Sequence, residues 1–371
     1  MKARPLKTSL FLVLLVFTCI FNIAGFALEP GDPAPDFLLP GTDGKSYALA
    51  SFAKSKILVV VFTCNHCPIS QAYEDRLIEL SRSYDKSSLA IVAISPNDPL
   101  ALRKDELGYS EVGDTLAGMQ IRADRKGFSF PYLYDGADQN CSRAYKPRVT
   151  PQVFLFDQDR RLRYSGRIDN SVDSLKVYQR DLRSAIDRVL AGKSIRNSNT
   201  KVFGCPVKWA VSRKLVAKDN ARLDRETVSL KSLDEQSLAF LVANKSKLLK
   251  LFVVWSPTQK SVDEAFTQLV EIHRRYRKRG LEIVTLTAKE PLGEKNILAF
   301  LQGHHASFRN YFHELDFARF PLLVDIKSEA SYPLAFLIEP GGGIRYRQIG
   351  SMQPLTMKRA ILEILGRDYS P

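Results

Sequence analysis

The run KILVVVF, residues 56–62, is continuous, apolar and rich in β-branched side chains, and the motif CNHCP follows it almost at once. Such a run is typical of a strand buried on both faces of a sheet. From Pro68 to about Tyr84 the apolar side chains recur mostly on one helical face, and a proline is well accommodated in a first helical turn. A second buried strand, LAIVAIS, follows at residues 89–95. This strand-helix-strand order predicts a parallel core with a right-handed crossover.

The next hundred residues extend that core. Residues 31–52 predict two short strands with a turn at Asp43 and Gly44, and FPYLYD at 130–135 predicts a strand before a short helix. Residues 149–169 predict two strands joined by a tight turn, and a closing helix is expected at 174–192. This order of elements is that of a thioredoxin-like domain, with the two cysteines of CNHC at its first strand-to-helix junction.

Five stretches carry a resemblance to a known group: GDPAPDFLLPGTDGKSYAL, FTCNHCP, FPYLYD, VTPQVFLFD and YSGRID. Together they resemble the redoxin group of thioredoxin-like proteins, related to the AhpC/TSA family and to the exported TlpA and ResA thiol reductases. FGCPVKWA, residues 203–210, resembles the Gly-Cys-x-x-Lys-Trp element that ends this group's redoxin domain. The resemblance covers about residues 29–210, and its motifs occur in the family's order.

Cys64 and Cys67 are the candidate redox pair. They enclose too short a loop to serve chiefly as a stabilising crosslink. A thiol at a helix N-terminus has a lowered pKa because the helix dipole and free N–H groups favour its thiolate. We therefore predict that Cys64 attacks a client disulfide and that Cys67 then attacks Cys64 to release the product. His66 is predicted to stabilise the thiolate further, and a solvent-exposed spacer is the alternative.

The resemblance also implies a role for the bond between Thr150 and Pro151, which should be cis and lie against the CNHC motif. It would present backbone groups to an extended substrate, so Thr150 and Thr63 are candidate substrate-binding residues. A peroxiredoxin-like thiol peroxidase is the alternative enzyme. Its Pro-x-x-x-Thr-x-x-Cys pattern is broken here, because Thr63 stands four residues before Cys67 and Val59 takes the place of the proline.

Two further cysteines lie in the same region. Cys141 is predicted to be a small buried hydrophobic residue. Cys205 could pack over the domain, form a disulfide with Cys141, or act as an accessory redox thiol. The sequence leaves these three roles of Cys205 open.

The N-terminus predicts export. Three basic residues precede an apolar stretch from Leu10 to about Ile23, and Gly25 and Ala27 fit a signal-peptidase site with cleavage after Ala27. An uncleaved membrane anchor is the alternative, because the stretch is near the lower length for spanning a bilayer. We expect a periplasmic or otherwise extracytoplasmic protein whose partners are exported cysteine-containing proteins and a redox partner protein, in an oligomeric state that the sequence leaves open.

The second half of the chain repeats the first. LLKLFVVW, a helical pattern and LEIVTLT again give strand, helix and strand, and FPLLVD at 320–325 and the segment after Pro333 echo the later motifs. WSPTQ stands where a CxxC would, with Ser256 and Gln259 in place of the cysteines. We therefore predict an α/β chain of two tandem thioredoxin-like domains: a signal peptide at 1–27, a redox-active domain at 28–193, a linker at 194–228 and a degenerate domain at 229–371.

Composition narrows the remaining classes. The net charge is +14, but its Lys and Arg residues are scattered and no basic motif interleaved with aromatics appears, so we expect no nucleic-acid partner. No cofactor and no metal are expected. A zinc site would need a second CxxC or His pair, and we expect His304, His305 and His313 to be surface histidines. The non-enzymatic alternative is a module that binds a protein partner or a metal through its thioredoxin-like folds.

Overall fold

The computed structural model describes residues 27–288, 292–313 and 333–367. The predicted signal peptide, except for Ala27, and the FPLLVD motif lie outside these ranges. Within them, no helix combines the length and apolar character that crossing a membrane requires.

The first unit is built on one five-stranded sheet. Its elements in chain order are β1 (Leu38–Pro40), β2 (Ser46–Ala48), β3 (Ile57–Phe62), α1 (Pro68–Arg82), β4 (Leu89–Ser95), α2 (Leu116–Lys126), β5 (Tyr132–Tyr134), α3 (Asn140–Tyr145), β6 (Val149–Thr150), β7 (Gln152–Phe156), β8 (Leu162–Gly166) and α4 (Asp181–Leu190). The sheet order is β5-β4-β3-β7-β8. Strands β3, β4 and β5 are parallel, whereas β7 and β8 run antiparallel to β3 and to each other.

Every residue of β3 is buried, as its unbroken apolar sequence predicts. Its alternate side chains enter two clusters, one on each face of the sheet. Val59 and Val61 pack with Tyr73 of α1, and Val60 and Phe62 pack with residues on the opposite face. The predicted βαβ core is confirmed, and it fixes the residues after Phe62 at the carboxyl edge of the sheet.

The second unit repeats this plan. Its elements are β10 (Leu230–Ser232), α6 (Glu235–Ala243), β11 (Leu249–Val254), α7 (Val262–Tyr276), β12 (Leu281–Ala288), α8 (Glu294–Gly303), β13 (Arg309–His313), β14 (Leu334–Ile338), β15 (Ile344–Ile349) and α9 (Pro354–Leu365). The sheet order is β10-β13-β12-β11-β14-β15. Apart from the added β10, strand order and directions match those of the first sheet, which confirms the prediction of two tandem thioredoxin-like units.

The segment at 194–228 is more structured than the predicted linker. It contains β9 (Cys205–Pro206), which pairs antiparallel with β6, and α5 (Arg213–Leu223). The helix was missed because its polar sequence buries only Val216 and Leu223.

The second unit packs against a loop of the first through the end of α7. The guanidinium of Arg275 donates to the carbonyls of Leu107, Ser110 and Val112 at 3.2, 3.0 and 3.3 Å. The Tyr276 hydroxyl donates to the Ser110 carbonyl at 3.0 Å. These contacts hold the loop that leads into Asp114, a residue of the site described below.

The prediction of surface histidines is wrong for His313, which is buried in β13 because that strand lies inside the sheet between β10 and β12. His304 is partly exposed, with Nε2 3.1 Å from the Asp263 carboxylate. His305 is exposed and its Nδ1 lies 2.9 Å from the Asp224 carbonyl. His304 and His305 therefore have separate partners.

Candidate active site

The two cysteines of CNHC lie between the end of β3 and the start of α1. The backbone N–H of Thr63 still donates to Ile94 at 3.0 Å and so continues the sheet for one residue. The helix begins at Pro68, and Cys67 is its N-cap, in an extended conformation with φ −77° and ψ 118°. Its Sγ accepts from the Ser70 N–H at 3.5 Å.

This placement changes the electrostatic argument made from the sequence. We expected the helix N-terminus to favour a thiolate at Cys64, but the helix begins at Pro68, as its sequence predicts, and Cys64 lies four residues before it. Proline is favoured at the first helical position, so the preceding residue, Cys67, becomes the N-cap. The helix dipole therefore acts most directly on Cys67.

The pKa values of the two thiols move in opposite directions. Burial raises the pKa of Cys64 well above its ordinary value, and the adjacent Cys67 and the Asp114 carboxylate raise it further. Burial also disfavours the Cys67 thiolate, but hydrogen bonds from the thiols of Cys205 and Cys64 and the charge of His66 together lower its pKa well below the ordinary value. The geometry thus favours the negative charge on Cys67.

Thr150 contacts both thiols. Its Oγ1 lies 3.1 Å from Cys64 Sγ, and its carbonyl oxygen accepts from the protonated Cys67 thiol at 3.4 Å. The Thr150–Pro151 peptide bond is cis. Thr63 and Thr150 are both buried beside the motif. The sequence-predicted residues therefore lie together at one edge of the sheet.

His66 is neither a spacer nor exposed. It is 3% exposed, and its Nδ1 lies 2.6 Å from Oδ2 of Asp114, which is itself fully buried. Burial lowers the pKa of His66, but the charge of Asp114 and its hydrogen bond outweigh this effect and raise it. Burial raises the pKa of Asp114, and His66 and its other donors lower it by more. The pair is therefore favoured as an imidazolium and a carboxylate.

Asp114 was missed by the sequence reasoning, although it organises the whole motif. Its Oδ1 accepts from the backbone N–H groups of Asn65 and His66 at 2.9 and 3.0 Å, and the Asn97 amide donates to its Oδ2 at 2.8 Å. Asn65, from which nothing beyond polarity was inferred, is buried and its side chain donates to the Gly113 carbonyl at 2.8 Å. No local pattern marks a residue that lies 48 positions from His66.

Cys205 belongs to the same site. Its strand β9 pairs with β6, so that Cys205 lies opposite Thr150, the residue that contacts both other thiols. Cys141 is buried as predicted, and burial raises its pKa strongly. Both Cys141 and Cys205 are free thiols, so the disulfide between them that the sequence left open is not formed.

A cavity of about 420 Å³ opens beside the thiols. Its wall includes His66, Cys205 and Lys208 of the first unit and its linking segment, together with Lys278 and Arg279 of the second unit. Lys208 is paired with Glu106 at 2.6 Å, and Arg279 stacks over the ring of Tyr109 at 4.1 Å. The redox-inactive unit thus forms one side of the opening to the site.

One group of side chains at this site has the spacing of metal ligands. Ligand atoms of Cys64, His66 and Asp114 lie within 4.8 Å of one another, and this is the one such group among the described residues. A metal on His66 Nδ1 would have to replace the hydrogen bond to Asp114.

The corresponding place in the second unit carries no thiol. Ser256 follows β11 and precedes α7, as Cys64 follows β3 and precedes α1, and its Oγ lies 3.0 Å from Thr258 Oγ1. Since the sequence has no cysteine after Cys205, disulfide chemistry within the chain is confined to the first site.

The first half of the chain is similar to several known proteins. The chain is 25% identical over 162 residues to the thiol-disulfide oxidoreductase ResA of Geobacillus kaustophilus, covering 42% of this chain and 81% of ResA. It is 34% identical to a hypothetical protein of Sinorhizobium meliloti 1021, covering 50% of this chain and 96% of that one with a TM-score of 0.44. An uncharacterized conserved protein of Geobacillus kaustophilus is 30% identical, covering 49% and 93%, with a TM-score of 0.44.

The match to a known family lies in the first unit. Residues 30–165 match the AhpC/TSA family, and this range contains both cysteines of CNHC, Asp114 and the cis peptide bond before Pro151. Over these residues the chain is similar to the AhpC/TSA family of thioredoxin-like proteins.

Proposed function

We propose that this protein is an exported thiol-disulfide oxidoreductase that exchanges disulfides with cysteine-containing client proteins through Cys64 and Cys67. The observation that carries the proposal is the convergence of both thiols on Thr150, with Sγ atoms 3.1 and 3.4 Å from its hydroxyl and carbonyl oxygens. The similarity to ResA supports the reaction class. Export is supported by the N-terminal sequence pattern alone.

In the reducing direction, one thiolate of the pair attacks a client disulfide and expels the first client sulfur as a thiolate. The second thiol of the pair then attacks the mixed disulfide and releases the second client sulfur. Two electrons pass to the client, the chain gains a disulfide between Cys64 and Cys67, and a donor protein must reduce it again. The oxidising direction is the reverse of these steps.

His66 and Asp114 set the charge balance during exchange. The imidazolium stabilises the thiolate that carries the charge, and Asp114 keeps the imidazole protonated through the 2.6 Å contact. Because a low-pKa thiol is also the better leaving group, a stabilised Cys67 thiolate favours breaking of any disulfide that contains Cys67. The stabilised Cys67 thiolate therefore favours the reduced, dithiol form of Cys64 and Cys67.

The proposal is tested with the mature chain, residues 28–371, and a fluorogenic peptide disulfide, with dithiothreitol as the electron donor. The C64S and C67S variants should each fall to the background rate, whereas C141A, which removes a buried thiol outside the site, should keep the wild-type rate. Full turnover in either C64S or C67S would overturn the proposal. Hydrogen peroxide, offered in place of the peptide disulfide, separates the two activities: preferred turnover of the peptide disulfide supports thiol-disulfide exchange, and preferred turnover of hydrogen peroxide supports the peroxidase alternative.

Export is tested on the full chain. Expression with the natural N-terminus, followed by fractionation and N-terminal sequencing, should give an extracytoplasmic protein that begins at Leu28. A protein retained in the cytoplasm with its first residues intact would overturn this part of the proposal.

A further inference from the structure

The thiol of Cys205 lies on a strand that is built into the site. Strand β9 pairs with β6, with Cys205 opposite Thr150 and Pro206 opposite Val149. Gly204 fits tightly against the same residue, because a Cβ atom there would lie 2.2 Å from the Thr150 carbonyl oxygen. The backbone approach is therefore possible only with glycine before Cys205.

Lys208, which follows strand β9, holds the strand in place through contacts with other segments of the first unit. The Lys208 carbonyl accepts from the N–H of Asp98 at 2.9 Å and from the side chain of Gln139 at 2.9 Å. The Lys208 N–H donates to the Asn97 side chain at 2.8 Å, and Asn97 also bonds Asp114. The position of Cys205 is thus coupled to the network that holds the CNHC motif.

The three thiols differ in access. Cys64 is 2% exposed and Cys67 is 0% exposed, so neither can meet a client sulfur in this arrangement. Cys205 is half-buried and lines the 420 Å³ cavity, and its backbone pairs with Thr150, whose carbonyl oxygen accepts from the Cys67 thiol at 3.4 Å. Among these three thiols it alone borders both the buried pair and the opening to solvent.

We infer that Cys205 is a third redox thiol, which forms a disulfide with Cys67 and carries the oxidising equivalent between the buried pair and a client in the cavity. This inference rests on the proposed function for its second half, the transfer to a client. The first half, the internal disulfide, concerns the chain alone.

The internal step is balanced without an added reagent. The Cys205 thiolate attacks Sγ of Cys67 in the disulfide between Cys64 and Cys67. A bond between Cys67 and Cys205 forms, the bond between Cys64 and Cys67 breaks, and Cys64 leaves as a thiolate that takes up the proton lost by Cys205. No net oxidation occurs. A client thiolate that then attacks Cys205 expels Cys67, the thiol with the lowest pKa of the three and hence the better leaving group.

The internal disulfide is tested on the mature C64S variant, which leaves Cys67 and Cys205 as the only neighbouring thiols of the site. After equilibration with oxidised glutathione, alkylation and mass spectrometry should find Cys67 linked to Cys205. A Cys67 that carries only glutathione, with Cys205 alkylated as a free thiol, would overturn the inference. The C64S/C205S double variant provides the matched control, in which Cys67 should carry glutathione.

Transfer to a client is tested by turnover of the fluorogenic peptide disulfide. C205S and C205A should both lose activity by about tenfold or more because the remaining pair is buried, and C141A should not. Wild-type turnover in both Cys205 variants would overturn the relay while leaving the proposed function intact. Absence of turnover in the wild type, with the Cys67–Cys205 link still formed, would overturn the proposed function and its client step but leave the internal disulfide standing.

Discussion

The most informative single substitution at the site is Asp114→Asn. It removes the negative charge that faces His66 Nδ1 at 2.6 Å and keeps the shape of the side chain. The amide oxygen can still accept from the backbone N–H groups of Asn65 and His66, which Asp114 now binds at 2.9 and 3.0 Å. The substitution therefore tests charge with little change in packing.

The expected change in the pKa of His66 follows from the energy of its contact with Asp114. A hydrogen bond to a charged group contributes about 1.5–3 kcal/mol, and one pKa unit corresponds to about 1.4 kcal/mol. The pKa of His66 should therefore fall by about one to two units in D114N. Loss of the imidazolium should raise the pKa of Cys67, and loss of the carboxylate should lower that of Cys64, so the two thiols become more alike.

Two titrations measure these shifts. Proton NMR of the imidazole resonances, assigned with an H66N variant, gives the pKa of His66. The absorbance of the thiolate near 240 nm in a C64S/C205S background gives that of Cys67. D181N is the control, since Asp181 is a buried carboxylate paired with Arg167 at 2.8 Å and contacts neither His66 nor the thiols.

D181N should leave both titrations unchanged. If the pKa of His66 in D114N equals that of the wild type, Asp114 does not hold the imidazole protonated. If the pKa of Cys67 falls instead of rising, the assignment of charge to that thiol is wrong.

Three further outcomes are expected. R275M should lower the free energy of unfolding by about 2–4 kcal/mol because the three hydrogen bonds from the buried guanidinium to loop carbonyls are lost. Urea unfolding measures this, and an unchanged midpoint would show that the contact between units contributes nothing. Burial alone would raise the pKa of Glu111, but its own backbone N–H and the guanidiniums around it, Arg367 among them, lower it to about 2. Since the folded-state pKa of Glu111 is lowered, E111Q should be less stable than the wild type by about 2–3 kcal/mol at pH 7. This difference should be lost as the pH falls from about 4.5 towards 2, and a difference that persists at pH 2 would contradict the lowered pKa of Glu111. G204A should lower the free energy of unfolding by about 1–3 kcal/mol, because the added Cβ would clash with the facing strand at Thr150. G303A is the control, since its Cβ would meet nothing within 4 Å, and it should leave thermal unfolding unchanged. Equal effects of the two substitutions would refute the close approach of Gly204 to Thr150.

The fold was predictable where local pattern and burial coincide. β4 spans the predicted residues 89–95, and β3 and α1 differ from the prediction by one or two residues at an end. The repeat in the second half of the chain could also be predicted from the sequence, because both units need similar apolar strands to build the same sheet order. In these places the local sequence alone is enough to determine the secondary structure of the segment.

The site was predictable only in part. Motif and position predicted that Cys64, His66 and Cys67 lie together, and the resemblance added Thr150 and Pro151; the structure brings these residues to one edge of the sheet. The proline after Cys67 already indicated that the helix N-cap is Cys67, but the position of CNHC at the strand-to-helix junction was taken to place Cys64 there. Asp114 could not be found, since it reaches His66 through a loop whose path depends on contacts with Arg275 of the second unit. Long-range packing of this kind leaves no periodic signal.

The central claim is that Cys64 and Cys67 form a reversible redox couple. The most direct test is equilibration of the protein without its predicted signal peptide, residues 28–371, in glutathione buffers of graded potential, followed by acid quenching, alkylation and mass spectrometry. The account predicts one two-electron transition that includes Cys64 and Cys67, with a midpoint between about −270 mV, near thioredoxin, and about −120 mV, near DsbA. The position of the midpoint in that range decides between reductant and oxidant. Two cysteines that stay reduced, or stay oxidised, across the whole range would contradict the account.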